Sequence, residues 1–187
     1  MGGFWSALFK SRSSSPASSG PSGDRPVDNS LRDPVTGLYN RKHLQNQLLA
    51  HIARCERHHE RMAVILWDID GFVDFNNRFG QEQGDRFLAK VAEIVKRSLR
   101  AYDEAFRSGA DEFCAILIPG DETVAQDVME RVRAAVSKDL FQGKAEYADR
   151  EFSISAGVAF YPGESQVPDA LLHAAGQALY RNRLAKT

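Results

Sequence analysis

Two acidic clusters stand where chemistry is most readily built. Asp68-Ile69-Asp70-Gly71 closes the apolar run Ala63 to Trp67, and Asp111-Glu112 follows Ser108-Gly109-Ala110 between two extended segments. If those strands are neighbours, the Asp68 and Asp111 carboxylates converge at one edge of a sheet. Magnesium is usually held by one or two protein carboxylates together with substrate phosphates, so acids beside a close-approaching glycine loop form a pattern for a triphosphate site. Asp and Gly are also the ordinary residues of turns, and the pattern needs support from the rest of the chain. The Cys55, His58 and His59 group has no second ligand pair at zinc-like spacing and reads as helix surface.

The elements that must position these acids follow from hydrophobic periodicity. Asn40 caps a predicted helix to about His58, with Leu44, Leu48 and Ile52 on one face. Ala63 to Trp67 reads as a strand covered on both faces. A short helix over Phe72 to Phe79 and a longer one over Gly84 to Arg100 follow, the second with Phe87, Leu88, Val91, Ile94, Val95 and Leu99 in one stripe. Ala105 to Arg107 and Glu112 to Ile118 flank a two-residue Gly-Ala loop that suits a type II′ hairpin. Asp121 or Thr123 begins a helix to about Ser137. Phe152, Ile154, Ala156, Val158 and Phe160 alternate with Ser153, Ser155 and Gly157 as a half-buried strand, and Asp169 opens a last helix carrying Leu171, Leu172, Ala175 and Leu179. This order predicts a mixed sheet with helices packed on it.

Composition narrows the function classes. Across 187 residues, 24 Lys+Arg nearly balance 25 Asp+Glu, which leaves no basic field for nucleic acid. Two cysteines without a C-x-x-C pattern exclude a disulfide scaffold and suit a reducing cytoplasm. The strongest apolar runs, about six residues each, fall far short of the roughly 20 that a spanning helix requires, so the folded part is expected to be soluble. Residues 11–30, rich in Ser, Pro and Gly, read as a flexible linker. Ahead of them, residues 1–12 place Phe4, Trp5, Leu8 and Phe9 at helical spacing beside Lys10 and Arg12. They read either as a disordered start or as an amphipathic anchor to a membrane surface, a cell pole or a partner. The folded domain is expected over residues 31–187, a length that leaves no room for a second domain.

Several separated motifs recur in order: D-P-V-T-G-L-Y-N-R at Asp33 to Arg41, W-D-I-D-G-F at Trp67 to Phe72, N-x-x-x-G-x-x-x-G-D at Asn76 to Asp85, R-S-G-A-D-E-F at Arg107 to Phe113, S-I-S-A-G-V-A at Ser153 to Ala159 and A-L-Y at Ala178 to Tyr180. The chain from about Asp33 onward resembles the GGDEF family, the bacterial diguanylate cyclase domain. The resemblance implies an α/β (α+β) fold of the nucleotidyl cyclase and polymerase palm type, a central five-stranded mixed sheet surrounded by helices. It also implies a homodimer in which two GTP molecules condense to cyclic di-GMP. Asp68, the Ile69 carbonyl and Asp111 would hold two Mg²⁺, with Asp111 or Glu112 assisting deprotonation of the attacking hydroxyl. Asn76 and Asp85 would read guanine, with Phe72, Gly109, Ala110 and Arg183 completing the GTP site. Arg100-Ala101-Tyr102-Asp103 resembles the family's inhibitory R-x-x-D motif and Arg131 its secondary arginine, a clasp for cyclic di-GMP weighed against a plain surface ion pair.

Departures from the family pattern concern phosphate handling. Val73 stands where a lysine is usual, Ala110 replaces the second signature glycine, and Thr187 stands in the place of a phosphate-binding arginine, while Arg183 can replace the neighbouring lysine. Gln81, Asn77 and Gly176 replace the usual histidine and two aspartates. Three readings follow: a catalytically weak domain that binds cyclic di-GMP at the R-x-x-D site or GTP at the old active site; an active cyclase that works as a dimer or with a regulatory partner; and an interaction scaffold indifferent to nucleotide.

Overall fold

The computed structural model describes residues 29–141, 153–163 and 167–186. The expected anchor, nearly all of the expected linker, Phe152 and Thr187 lie outside the described residues. In chain order the elements are β1 (Tyr39–Asn40), α1 (Arg41–His58), β2 (Met62–Asp70), α2 (Phe72–Phe79), α3 (Gln81–Arg97), β3 (Glu104–Arg107), β4 (Glu112–Leu117), α4 (Glu122–Val136), β5 (Ser153–Tyr161) and α5 (Pro168–Leu184). The strands form one mixed sheet in the order β1-β3-β4-β2-β5. Only β1 and β3 pair in parallel; the β3–β4, β4–β2 and β2–β5 pairs are antiparallel. This is the five-stranded α+β sheet that the resemblance implied.

Strand alternation divides the core into two layers. Ala63, Ile65, Trp67 and Ile69 face Phe75, Leu88, Val91 and Val128 from α2, α3 and α4. Met62, Val64 and Leu66 face Leu44, Leu48, Leu171 and Leu179 from α1 and α5. The caps behave as their side chains dictate: Asn40 Oδ1 accepts the His43 N–H at 3.1 Å, and Asp121 Oδ1 the Val124 N–H at 2.9 Å.

Several expectations are corrected. β2 is longer than Ala63 to Trp67, because Asp68 and Asp70 continue the ladder opposite Ser155 and Ser153. α3 starts and ends three residues earlier than expected: Gly80, at φ 83°, ends α2, and Ser98 closes α3, leaving Arg100 outside it. The hairpin is not type II′, since Gly109 is absent from the positive-φ glycines and the Ser108 and Gly109 N–H groups both donate to the Glu112 carbonyl, at 2.9 and 3.2 Å. Residues 109–111 form the loop. β5 is covered on both faces: an added Cβ on Gly157 would lie 2.1 Å from the Leu179 nitrogen, so this glycine lets α5 lie against the strand. Pro168, not Asp169, opens α5, in the first-turn position where a missing N–H costs nothing.

Candidate functional site

Alternation also aims the acids. Asp68 and Asp70 share the β2 face occupied by Val64 and Leu66, and Asp68 pairs directly with Glu112 across the ladder. Asp111 reaches the same edge from the loop, its carbonyl accepting the Ile69 N–H at 3.3 Å. Burial first, then the Asp111 charge, pushes the Asp68 carboxyl up to about 6, with Asp70 and Glu112 adding to the rise and Arg183 opposing it. Asp68 Oδ1 is buried and accepts no hydrogen bond within the fold. It meets only the charge of Arg183 Nη1, at 2.9 Å.

Among the described residues no three His, Cys, Asp or Glu side chains gather closely enough to hold a metal between them. The acids whose charges reach Asp68 are Asp111, Asp70 and Glu112, and carboxylate oxygens are hard donors of the kind Mg²⁺ takes when phosphates complete its shell. A buried carboxylate oxygen that accepts no hydrogen bond and is crowded by like charge fits such a cation. Beside these acids, a cavity of about 590 Å³ is lined by Leu44, Leu66, Glu112, Gly176, Tyr180 and Arg183 among others.

Asn76 and Asp85 belong to α2 and α3, on the opposite layer. Asn76 Oδ1 is buried without a hydrogen-bond partner. Gly84 makes room for it: a Cβ there would lie 1.8 Å from that oxygen and 3.3 Å from the Phe72 ring. Phe72 is itself buried against Phe75 and Phe87.

The loop carrying Gly109 and Ala110 is held by Arg107, which donates to their carbonyls at 3.2 and 2.6 Å and to Asp33 Oδ1 at 3.0 Å. Burial raises the Asp33 carboxyl, but hydrogen bonds from Thr36 and Arg107 outweigh it and leave the group below its usual range.

The Arg100 to Asp103 segment forms a turn. The Asp103 N–H donates to the Arg100 carbonyl at 3.1 Å, and the Arg100 N–H donates to Asp103 Oδ2 at 2.9 Å. The guanidinium goes to the Tyr102 hydroxyl, at 3.1 Å, instead of forming the ion pair that this spacing allows. Burial raises the Asp103 carboxyl, against the backbone N–H groups of Arg100 and Ile118 and the charges of Arg100 and Arg131. A cavity of about 510 Å³ is lined by Leu38, Tyr39, Leu99, Arg100, Tyr102 and Asp103 among others. Arg131 acts on Asp103 by charge, while its guanidinium holds the Ser98 carbonyl at 2.7 and 3.1 Å and so ties α4 to the end of α3.

Four side chains of this region have no role in the expectations above. Ser153 and Ser155 donate to Asp70, and Lys186 donates to Asp70 at 3.3 Å and to the Ile154 carbonyl at 2.9 Å. The period-two spacing of Asp68 with Asp70, and of Ser153 with Ser155, was the signal available in the sequence.

The family model for the diguanylate cyclase GGDEF domain matches residues 30–187. The chain belongs to the GGDEF family. Diguanylate cyclase DgcP of Pseudomonas aeruginosa is 34% identical over 155 residues, which are 83% of this chain and 23% of DgcP. Response regulator PleD of Caulobacter vibrioides is 31% identical over 158 residues, covering 84% of this chain and 35% of PleD. The chain thus spans about a quarter to a third of these relatives. Among solved structures, a sensory box/GGDEF family protein from Caulobacter crescentus is 34% identical with TM-score 0.73, covering 83% of this chain and 99% of that one. The GGDEF domain of Caulobacter crescentus DgcB, solved with c-di-GMP, is 27% identical with TM-score 0.75, covering 89% and 95%. In this GGDEF domain Val73 is 69% exposed on α2, so nothing in the fold demands an apolar residue there. Ala110 is exposed in the signature loop, and Arg183, Lys186 and Asp70 meet above the carboxylates. No helix of the described residues is long and apolar enough to cross a membrane.

Proposed function

We propose that this GGDEF domain is a cyclic di-GMP receptor with weak turnover, binding the dinucleotide at the Arg100 to Asp103 turn. The observation that carries this reading is that Arg100 and Asp103 line one cavity of about 510 Å³, the Arg100 guanidinium held there by the neutral Tyr102 hydroxyl and not paired with the Asp103 carboxylate. Guanine offers two N–H donors to a carboxylate and two acceptors to a guanidinium, so the turn complements one base of the dinucleotide. Arg131 steadies the turn through the Ser98 carbonyl. The DgcB structure with c-di-GMP supports the ligand class. Calorimetry tests the reading: wild type is expected to bind cyclic di-GMP and Arg100→Ala to lose it, and equal binding by both overturns it.

The second reading is a cyclase acting on GTP as a dimer or with a regulatory partner, and the like charge crowded around Asp68 and the unpartnered buried oxygen of Asn76 favour it. Asp68, Asp111 and the Ile69 carbonyl would hold two Mg²⁺, which supply Lewis acidity at the α-phosphate. Asn76 and Asp85 read guanine beside Phe72; Gly109 and Ala110 line the phosphate path, and Glu112 or Asp111 takes the hydroxyl proton. Turnover is slow because Val73 offers no cation to the phosphoryl charge, and removing such a cation costs orders of magnitude. Incubation of concentrated protein with GTP and Mg²⁺ decides: cyclic di-GMP above an Asp111→Ala control is the expected trace, and none overturns this reading. Residues 1–12 are the address of the domain in either case, tested by following localisation after their deletion.

A further inference from the structure

Asp70 carries none of the roles above, yet four side chains converge on its carboxylate. Ser153 Oγ donates to Oδ2, Ser155 Oγ lies 2.9 Å from both oxygens, Arg183 Nε lies 3.0 Å from Oδ1, and Lys186 Nζ 3.3 Å from Oδ2. Ser155 is wholly buried, so this is a built polar pocket and not a chance surface meeting. Arg183 spans both acids of β2, holding Asp70 through Nε and Asp68 through Nη1. The two ends differ in kind. Asp70 is ringed by hydroxyl donors that fix its orientation, whereas Asp68 Oδ1 accepts no hydrogen bond and meets Arg183 by charge alone.

We infer that Asp70, fixed by Ser153 and Ser155, is the positioning residue that retains Arg183 and Lys186, and that Arg183 serves as an internal counter-ion on Asp68 which a divalent cation must displace. A cation arriving at Asp68 competes with Nη1 for the same oxygen, because both answer the same local excess of negative charge. Displacement does not release the arginine. Its Nε stays with Asp70, so the freed end of the guanidinium remains beside the acids and turns to the phosphate that arrives with the metal. Arg183 thus opposes metal alone and favours metal with triphosphate. The inference rests on the reading that Asp68 and Asp111 bind a metal–nucleotide.

The test uses the full chain, Mn²⁺ alone followed by electron paramagnetic resonance, and an α,β-methylene analogue of GTP with Mg²⁺ followed by calorimetry. Arg183→Gln is expected to tighten Mn²⁺ by about tenfold and to weaken the analogue by about tenfold. Arg57→Gln, the same charge lost from the exposed end of α1, moves either affinity by less than about twofold. Arg183→Lys keeps the charge but not the two-ended hold, so it is expected to return Mn²⁺ affinity to the wild-type value while the analogue stays weakened. Asp70→Asn weakens the analogue, and adding Arg183→Gln to it weakens the analogue no further, the signature of two residues acting as one unit. Arg183→Gln that leaves Mn²⁺ binding unchanged, weakens both ligands, or adds fully to Asp70→Asn overturns the inference while leaving the metal–nucleotide reading intact. A wild-type chain that binds neither Mn²⁺ nor the analogue overturns both.

Discussion

The carboxylate edge and the Arg100 to Asp103 turn are both polar sites, but they manage charge in opposite ways. At the edge, Asp68 and Asp70 are already met by Arg183 and Lys186. At the turn, the Asp103 carboxylate is held by the Arg100 backbone N–H, while the Arg100 guanidinium is turned to Tyr102. A site that neutralises itself must exchange partners to bind a ligand. A site whose arginine is held by a neutral hydroxyl can turn it to a ligand without separating an ion pair, and that smaller cost favours binding there.

The comparison breaks first at the turn. Arg100→Ala with Asp103→Ala is expected to weaken cyclic di-GMP by about a hundredfold or more, as loss of paired charged hydrogen bonds does, in a calorimetric titration. Val73→Lys sharpens the edge: a cation restored at this exposed position should raise cyclic di-GMP formation by about tenfold or more without altering thermal stability, read by product chromatography. Gly84→Ala pushes a methyl group onto Asn76 Oδ1 and should weaken the GTP analogue by about tenfold, with little effect on cyclic di-GMP at the turn. The smallest effect is in stability. Because Asp68 titrates at about 6 when folded and at an ordinary acid value near 3.8 when unfolded, the folded state holds the extra proton between those values. Stability contributed by this group is therefore complete below about 4, declines as pH rises through about 6, and is lost above it. Asp68→Asn removes that decline, stabilising the domain at pH 8 by about 1 to 2 kcal/mol in denaturant unfolding, while Mn²⁺ binding is lost.

Much of the sheet was legible because its signals are local. The apolar run of β2, the alternation of β5 and the caps at Asn40 and Asp121 are each set by neighbours a few residues away. β1 escaped because two residues carry no period; its place comes from pairing with Phe106 and Arg107 far along the chain. The loop type escaped because the bifurcated acceptance by the Glu112 carbonyl overrides the turn that Gly-Ala prefers alone. Ser153 and Ser155 looked like a solvent face, as polar alternation ordinarily is. Their meaning depends on Asp70 and Lys186, with Ser153 lying 83 residues from the former. The R-x-x-D spacing was visible, but not that Ser98 ends the helix first and makes it a turn.

The two-layer core has a consequence for how such a domain changes over time. Asp68, Glu112 and Arg183 belong to the layer of α1 and α5, whereas Asn76, Gly84 and Asp85 belong to that of α2 and α3. A nucleotide that used both would straddle the end of β2, its base and its phosphates resting on separately packed halves. Substitutions on opposite sides of a close-packed sheet share few partners, so their costs add instead of compounding. What lets Val73 vary on α2 itself is exposure, for it lies at the surface while Asn76 of the same helix is packed under Gly84.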